Sequence, residues 1–296
     1  MQVLDKLREI ATLFGSYGIE DSAKEAETLI TEVCAISRSH LYAHNPGLSS
    51  EQSILIDSLA PRRLSGEPLQ YLIGHVEFCG LIIHVGPGVL IPRPETELLV
   101  EEATARITRE LVLGGGEKGD ATPLRILDLC TGSGCIALAF ARRFPDAFVC
   151  GIDRSERAIG YAFRNASANG ITNAHFVVGD LLDPLGRRKF DYIVSNPPYI
   201  PHGDIGQLQR EIREYEPVEA LDGGTDGLDF HRRILEAARD HLREGGQIFL
   251  EIGSGQKEAV EGVAIEEGFD DVGFLKDYSG FWRIFLARRG ATLTAH

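Results

Sequence analysis

Ile126-Leu127-Asp128-Leu129-Cys130-Thr131-Gly132-Ser133-Gly134 reads as a buried strand that empties into a glycine turn. A helical stretch follows at residues 136–144. On either side the same alternation continues, with strands fitting 125–130, 148–152, 175–178, 192–195 and 247–252, and helices fitting 156–169 and 228–242. Alternation of this kind implies parallel strands joined by right-handed crossovers, an α/β doubly wound sheet. The last two strands, at 271–276 and 282–287, are separated only by Asp277-Tyr278-Ser279-Gly280. That is too short for a helical crossover, so the last strand must run antiparallel to its neighbour.

Open parallel sheets bind ligands outside the carboxyl ends of their strands, where the strand order reverses. Gly132 and Gly134 permit a tight turn there and keep side chains away from a ligand near the backbone. Nineteen residues beyond Gly134, at the end of the second strand, Asp153 can accept both hydroxyl protons of an adenosine ribose. Asp180 and Leu181 end the third strand and face the adenine amino group and ring. Gly132-Ser133-Gly134-Cys135-Ile136-Ala137 also satisfies the dinucleotide fingerprint G-x-G-x-x-G/A, so a nicotinamide dehydrogenase is a rival at this point. The antiparallel last strand and the motif after strand four argue against it.

That motif is Asn196-Pro197-Pro198-Tyr199, delivered to the same sheet edge by Tyr192-Ile193-Val194-Ser195. Pro197 forces Asn196 out of helical geometry, and two successive prolines make a stiff corner without N–H donors. Such a corner aims two acceptors inward, the Asn196 side-chain oxygen and the Pro197 carbonyl. Two converging acceptors suit a planar NH2 group. They orient its nitrogen and stabilise the positive charge that grows on it during methyl transfer. Tyr199 is placed to pack on the flat face of the acceptor, and no strong general base is needed.

The first 65 residues read as three short helices: an apolar stripe of Val3, Leu4, Leu7, Ile10, Leu13 and Phe14, a second helix opened by a Ser22/Glu25 capping box, and a third at 50–64. From Val76 the period changes to two, and a hairpin running on to Val89-Leu90-Ile91 joins this bundle to the rest. A helix fits 95–113, and the glycine-rich run at 114–120 reads as a surface loop. With 43% hydrophobic and 25% charged residues in 296, the chain has room for one large domain and one small one. A net charge of −14 opposes non-specific binding to phosphate backbones, and Arg62-Arg63 and Arg187-Arg188-Lys189 are short basic runs of the kind that usually stay solvated. Cys34, Cys79, Cys130, Cys135 and Cys150 form no zinc or disulfide pattern. Apolar runs fall short of a membrane span, and the amphipathic start is no secretory signal, so a cytoplasmic protein is expected.

The whole pattern resembles the release factor glutamine methyltransferases. Besides the Asn196 corner, the similarity is carried by 63–74 with Glu77-Phe78, by Leu90-Ile91-Pro92-Arg93-Pro94-Glu95-Thr96-Glu97, by Glu216-Pro217 with Ala220-Leu221-Asp222-Gly223-Gly224, and by Asp277-Tyr278-Ser279-Gly280. The resemblance runs from about residue 60 to 289. It implies a seven-stranded Rossmann-like class I methyltransferase domain at 94–296, a hairpin linker at 76–93 and an N-terminal helical substrate-recognition domain at 1–75. It also implies S-adenosylmethionine as donor and, as acceptor, the glutamine of a Gly-Gly-Gln tripeptide in a peptide chain release factor. Matched residue by residue, Cys130, Thr131, Gly132, Ser133, Gly134, Asp153, Asp180, Leu181 and Asn196 belong to the cofactor site. Asn196, Pro197, Pro198 and Tyr199 form the catalytic and substrate-binding motif, and no metal is implied. Cys130, where the family commonly has glycine, and Phe281-Trp282 depart from the family pattern. Residues 90–97 are expected to be a rigid lid, with Arg93 and Glu97 structural or substrate-facing. The chain's own Gly245-Gly246-Gln247 reads as a turn before a buried strand. The runner-up is an enzyme acting on the exocyclic amino group of adenine or guanine, disfavoured by the acidic charge, with nucleic acid not expected as direct substrate.

Overall fold

The computed structural model describes residues 1–113 and 123–290. The loop read at 114–120 lies outside them. The described chain divides into two compact units, Met1–His75 with Gln209–Tyr215, and Val76–Leu208 with the residues from Glu216 onward.

The first unit holds α1 (Val3–Ser16), α2 (Ser22–Cys34), α3 (Arg38–His44), α4 (Ser50–Leu64) and α5 (Leu69–Ile73). Four helices stand in the first 65 residues, where the periodicity shows three, and α5 follows them. α3 spans less than two turns with Leu41 as its one buried residue, and α5 has five residues, too few to repeat an apolar period. The core is built from Val3, Ile10, Phe14, Ala26, Leu29, Ile30, Leu41 and Ile56. The capping box belongs to α4 rather than α2: the Gln52 amide nitrogen donates to Ser49 Oγ at 3.1 Å, and the Gln52 side chain accepts from the Ser49 N–H at 3.0 Å. At α2 the N-cap is Asp21 and no side chain closes a cap. Glu25, expected in that cap, instead accepts from Arg63 Nε at 2.6 Å and Nη2 at 2.9 Å. Arg63 also meets Glu211 at 2.8 Å, so it is a buried ion-pair residue and not part of a solvated strip.

The second unit opens with β1 (His75–Phe78) and β2 (Leu81–His84), joined through Cys79 and Gly80 at positive φ. Residues 89–91 do not extend this hairpin. Their backbone is claimed elsewhere: the Ile91 N–H donates to Glu216 at 3.0 Å. α6 (Pro94–Leu113), β3 (Arg125–Leu129), α7 (Cys135–Arg143), β4 (Phe148–Asp153), α8 (Glu156–Ala168), β5 (Ala174–Val178) and β6 (Phe190–Ser195) follow. Beyond α9 (Arg210–Tyr215), which belongs to the first unit, come α10 (Asp229–His241), β7 (Leu242–Glu251), α11 (Lys257–Glu266), β8 (Phe269–Lys276) and β9 (Trp282–Arg289).

Seven strands form one sheet in the order β5-β4-β3-β6-β7-β9-β8. The strands from β5 to β7 are parallel, and β9 lies antiparallel between β7 and β8, as the short final connection requires. The strand order reverses around β3, which has β4 on one side and β6 on the other. Leu129 is level with both Ile152 and Ser195. Cys130 and Asn196, which leave the sheet next, and Asp153, the last residue of β4, therefore lie side by side.

Gly245-Gly246-Gln247 is not a turn before β7 but lies within it. The register jumps from Phe190 opposite Leu242 to Tyr192 opposite Gln247, a bulge that Gly245 accommodates at φ +73°. Gln247 is buried, and its side-chain nitrogen donates to Glu110 at 2.5 Å.

Candidate active site

Asp128, on β3, shapes the glycine turn from beneath. One of its carboxylate oxygens accepts from Thr131 Oγ1 at 2.5 Å and from the Ala137 N–H at 3.0 Å, tying the turn to the first turn of α7. Burial pushes the Asp128 carboxyl up to about 7, against the opposing effect of those two donors. Cys130, Gly132 and Gly134 all take positive φ. A Cβ on Gly134 would stand 3.0 Å from that of Ala162 and 3.3 Å from the Phe176 ring, so this glycine lets α8 and β5 close on the turn. At Gly132 a Cβ would meet nothing nearer than the Cys130 carbonyl at 4.0 Å. Asn165 of α8 holds the turn from the other side, donating to the Ser133 carbonyl at 2.9 Å and to the His84 carbonyl at 3.1 Å.

Asp153 accepts the Gly132 N–H on one oxygen and the Ser155 N–H on the other, both at 2.9 Å. Burial raises its pKa while these backbone donors act in the opposite direction. A carboxylate has roughly four lone-pair sites, so each oxygen keeps one for a hydroxyl. Asp180 pairs with Arg233 of α10 at 2.6 Å, and Leu181 sits buried at φ +47°.

A cavity of about 470 Å³ opens over this edge. Of the residues singled out in the sequence, Cys130, Gly132, Asp153, Asp180, Leu181, Asn196 and Pro198 line it. Thr131, Ser133, Gly134, Pro197 and Tyr199 are not among its lining residues. Arg154, Glu219 and Phe230 also line it and were not read from the sequence. Arg154, next to Asp153, carries a positional signal; Phe230, at the start of α10, carries none, because only the fold brings it to β4. The residues suit an adenosine-bearing donor: a carboxylate with two open acceptor sites, a glycine without a side chain on the wall, and apolar faces from Leu181 and Phe230.

The corner at the end of β6 is fixed from three sides. Asn196 Nδ2 donates to Thr96 Oγ1 at 3.0 Å, Thr96 Oγ1 donates to Glu251 Oε2 at 2.7 Å, and the Tyr199 hydroxyl donates to Glu251 Oε1 at 3.1 Å. Gln256 donates to the Tyr199 carbonyl at 2.8 Å. The loop at 220–224 closes the third side, with the Ile200 N–H on the Leu221 carbonyl and the Gly223 N–H on the Ile200 carbonyl. Burial lifts the Glu251 carboxyl to about 7 and drives the Tyr199 phenol upward. Asn196 Oδ1 takes no hydrogen bond among the described residues. Residues 92–97 are tied down as well: Arg93 pairs with the buried Glu216, and Thr96 and Glu97 lie in the first turn of α6.

A parallel sheet with one reversed strand, carrying at one switch point a glycine turn, the Asp153 carboxylate and the Asn196 corner, is the fold of an S-adenosylmethionine-dependent methyltransferase. Family models described as "Methyltransferase small domain" and "PrmC N-terminal domain" match residues 118–212 and 5–74. The chain belongs to the release factor glutamine methyltransferase family. It is 46% identical over 293 residues to the member from Thermodesulfovibrio yellowstonii, covering 99% of this chain and 100% of that one. The Geobacter sulfurreducens member is 43% identical, with 92% of each chain covered, and the Escherichia coli member 38%, covering 91% of this chain and 93% of that one. Among solved structures, a Thermus thermophilus 16S rRNA N2 G1207 methyltransferase in complex with AdoMet and guanosine superposes with a TM-score of 0.51 at 23% identity, over 73% of this chain and 49% of that one. The human methyltransferase 10 domain containing protein superposes at 0.50 and 17% identity, over 72% and 90%. Both show the shared fold.

Proposed function

We propose that this chain methylates the side-chain amide nitrogen of a glutamine in peptide chain release factors, the glutamine of their Gly-Gly-Gln tripeptide. The observation that carries the reading is the uncommitted Asn196 Oδ1, on the wall of the cavity that also holds Asp153. S-adenosylmethionine supplies the electrophilic methyl group. Asp153 accepts the ribose hydroxyls, Gly132 lets the donor lie against the turn, and Leu181 and Phe230 take the apolar face of the base.

An amide nitrogen is a weak nucleophile because its lone pair is delocalised into the carbonyl. Asn196 Oδ1 and the Pro197 carbonyl accept its two N–H bonds, hold it in line for attack and stabilise the charge that develops on it. Once methylated, the nitrogen is acidic and releases its proton without a dedicated base. Tyr199, with its hydroxyl held by Glu251, keeps the corner rigid. A glutamine side chain offers too little surface to select one site among all proteins, so the N-terminal unit supplies further contacts to the release factor.

Incubation with labelled donor and, in separate reactions, a release factor, the same factor with its Gly-Gly-Gln glutamine replaced, and a nucleic acid mixture tests the reading. Label in the intact factor alone supports it. Label entering nucleic acid and not the factor overturns it in favour of an exocyclic amino acceptor.

A further inference from the structure

Asn196 has two chemically opposite ends, and only one of them serves an NH2 acceptor. We propose that Thr96 and Glu251 are positioning residues that fix the polarity of the Asn196 amide, presenting its oxygen and not its nitrogen to the substrate. The inference rests on the amide methyl transfer proposed above. Its basis is the direction of three hydrogen bonds. Glu251 is 1% exposed and Thr96 2% exposed, so water does not substitute for either partner. An ionised carboxylate only accepts. Glu251 therefore takes the one hydroxyl hydrogen of Thr96, at 2.7 Å, and that of Tyr199, at 3.1 Å. With its hydrogen spent, Thr96 offers only lone pairs to Asn196 and pairs with Nδ2 at 3.0 Å. Turning the amide over would set oxygen against oxygen. Oδ1 is thereby held as the free end.

The chain of hydrogen bonds spans α6, the corner after β6 and β7, and ionisable groups on β9, on α10 and around the start of α6 face it. Arg283 of β9 and Glu95 of α6 act on the Glu251 carboxyl with opposite sign. His231 of α10 has Nε2 at 2.9 Å from the Glu251 main-chain oxygen and is held neutral, its pKa lowered by burial to about 4. Arg93 lies close enough to favour the Tyr199 phenolate. A proton on Glu251 Oε2, the oxygen that faces Thr96, reverses the direction: that oxygen donates to Thr96, the Thr96 hydroxyl turns to donate to Asn196, and the amide flips its NH2 toward the substrate. Since burial raises this carboxyl to about 7, acidification should switch off transfer in a one-proton step.

The test measures single-turnover methyl transfer to a release factor by the full chain across about pH 5 to 9, beside donor affinity and thermal melting. Thr96→Val should lower the saturating rate about tenfold, the scale of one net hydrogen bond, with donor affinity changed less than about twofold. Thr96→Ser should restore most of the rate. Glu251→Gln keeps an acceptor for Thr96 and has no proton to gain, so the acid limb of the wild-type profile should vanish. A folded Thr96→Val protein at the wild-type rate, or a Glu251→Gln profile with the wild-type acid limb, overturns the proposal. If Thr96→Val does not fold, the Glu251→Gln profile decides. A wild-type chain that leaves the factor unmethylated overturns the proposed function itself, and this inference with it.

Discussion

Asn196→Ala removes the free acceptor while leaving the Pro197 carbonyl. Single-turnover transfer should fall about ten- to a thousandfold, the range for one preorganised transition-state hydrogen bond, with calorimetric donor affinity nearly unchanged. Normal transfer by the folded variant would refute the mechanism. Asp153→Asn tests the other end of the cavity. It removes the charge and one acceptor from a group already committed to the Gly132 and Ser155 N–H donors. Donor affinity measured by calorimetry should fall about ten- to a hundredfold, as expected for hydrogen bonds to a charged group. Both residues were legible in the sequence because each is the first residue off a readable strand, and parallel register sets them level. Thr96 and Glu251 were not, because 155 positions separate them and only the fold joins them. Asp128 stood in the opening strand, but alternation says nothing of which strand residue reaches forward to clip the following helix.

Within the turn between β3 and α7, the two glycines answer to different demands. Gly134→Ala would crowd Ala162 at φ +83°, so the melting temperature should drop by the equivalent of about 1–3 kcal/mol. Gly132→Ala meets no neighbour nearer than 4.0 Å but sits at φ +55°, so it should cost only the left-handed backbone strain of about 1–2 kcal/mol, less than the strain and crowding together at Gly134, and otherwise act on donor binding. Equal loss of stability in both variants would contradict this division. The parallel strands and long helices were legible because they repeat their period several times. α3 and α5 were too short to repeat one. The Ser22/Glu25 pattern misled because Arg63, from α4, competes for Glu25, a partner that sequence-local capping logic does not include. Gly245-Gly246-Gln247 read as a turn because glycine pairs also serve bulges, and the choice depends on the neighbouring strand β6.

For the whole molecule, Asp128 and Glu251 set a pH dependence of stability. Burial raises their folded pKa values from 3.8 and 4.5 to about 7, so between those limits the folded state holds more protons than the unfolded one. Stability contributed by these two groups is full below the lower limits and declines as pH rises toward about 7. Melting curves of an Asp128→Asn, Glu251→Gln double variant should show a flatter slope across that window than the wild type; an unchanged slope would exclude both groups as its source. In the first unit, Arg63→Ala leaves Glu25 and Glu211 without their cation. Breaking such a partly buried network costs up to about 3–5 kcal/mol, so proteolysis near residues 205–215 should accelerate while donor affinity holds. The antiparallel β9 has a consequence for synthesis. Because β9 separates β7 from β8, neither can complete its pairing until residues 282–289 have been made. A nascent chain short of that point exposes the long, apolar edge of β7, a template for pairing with other chains. Products that stop before Trp282 should therefore aggregate or recruit chaperones, even though every residue lining the cavity beside Asp153 has already been translated.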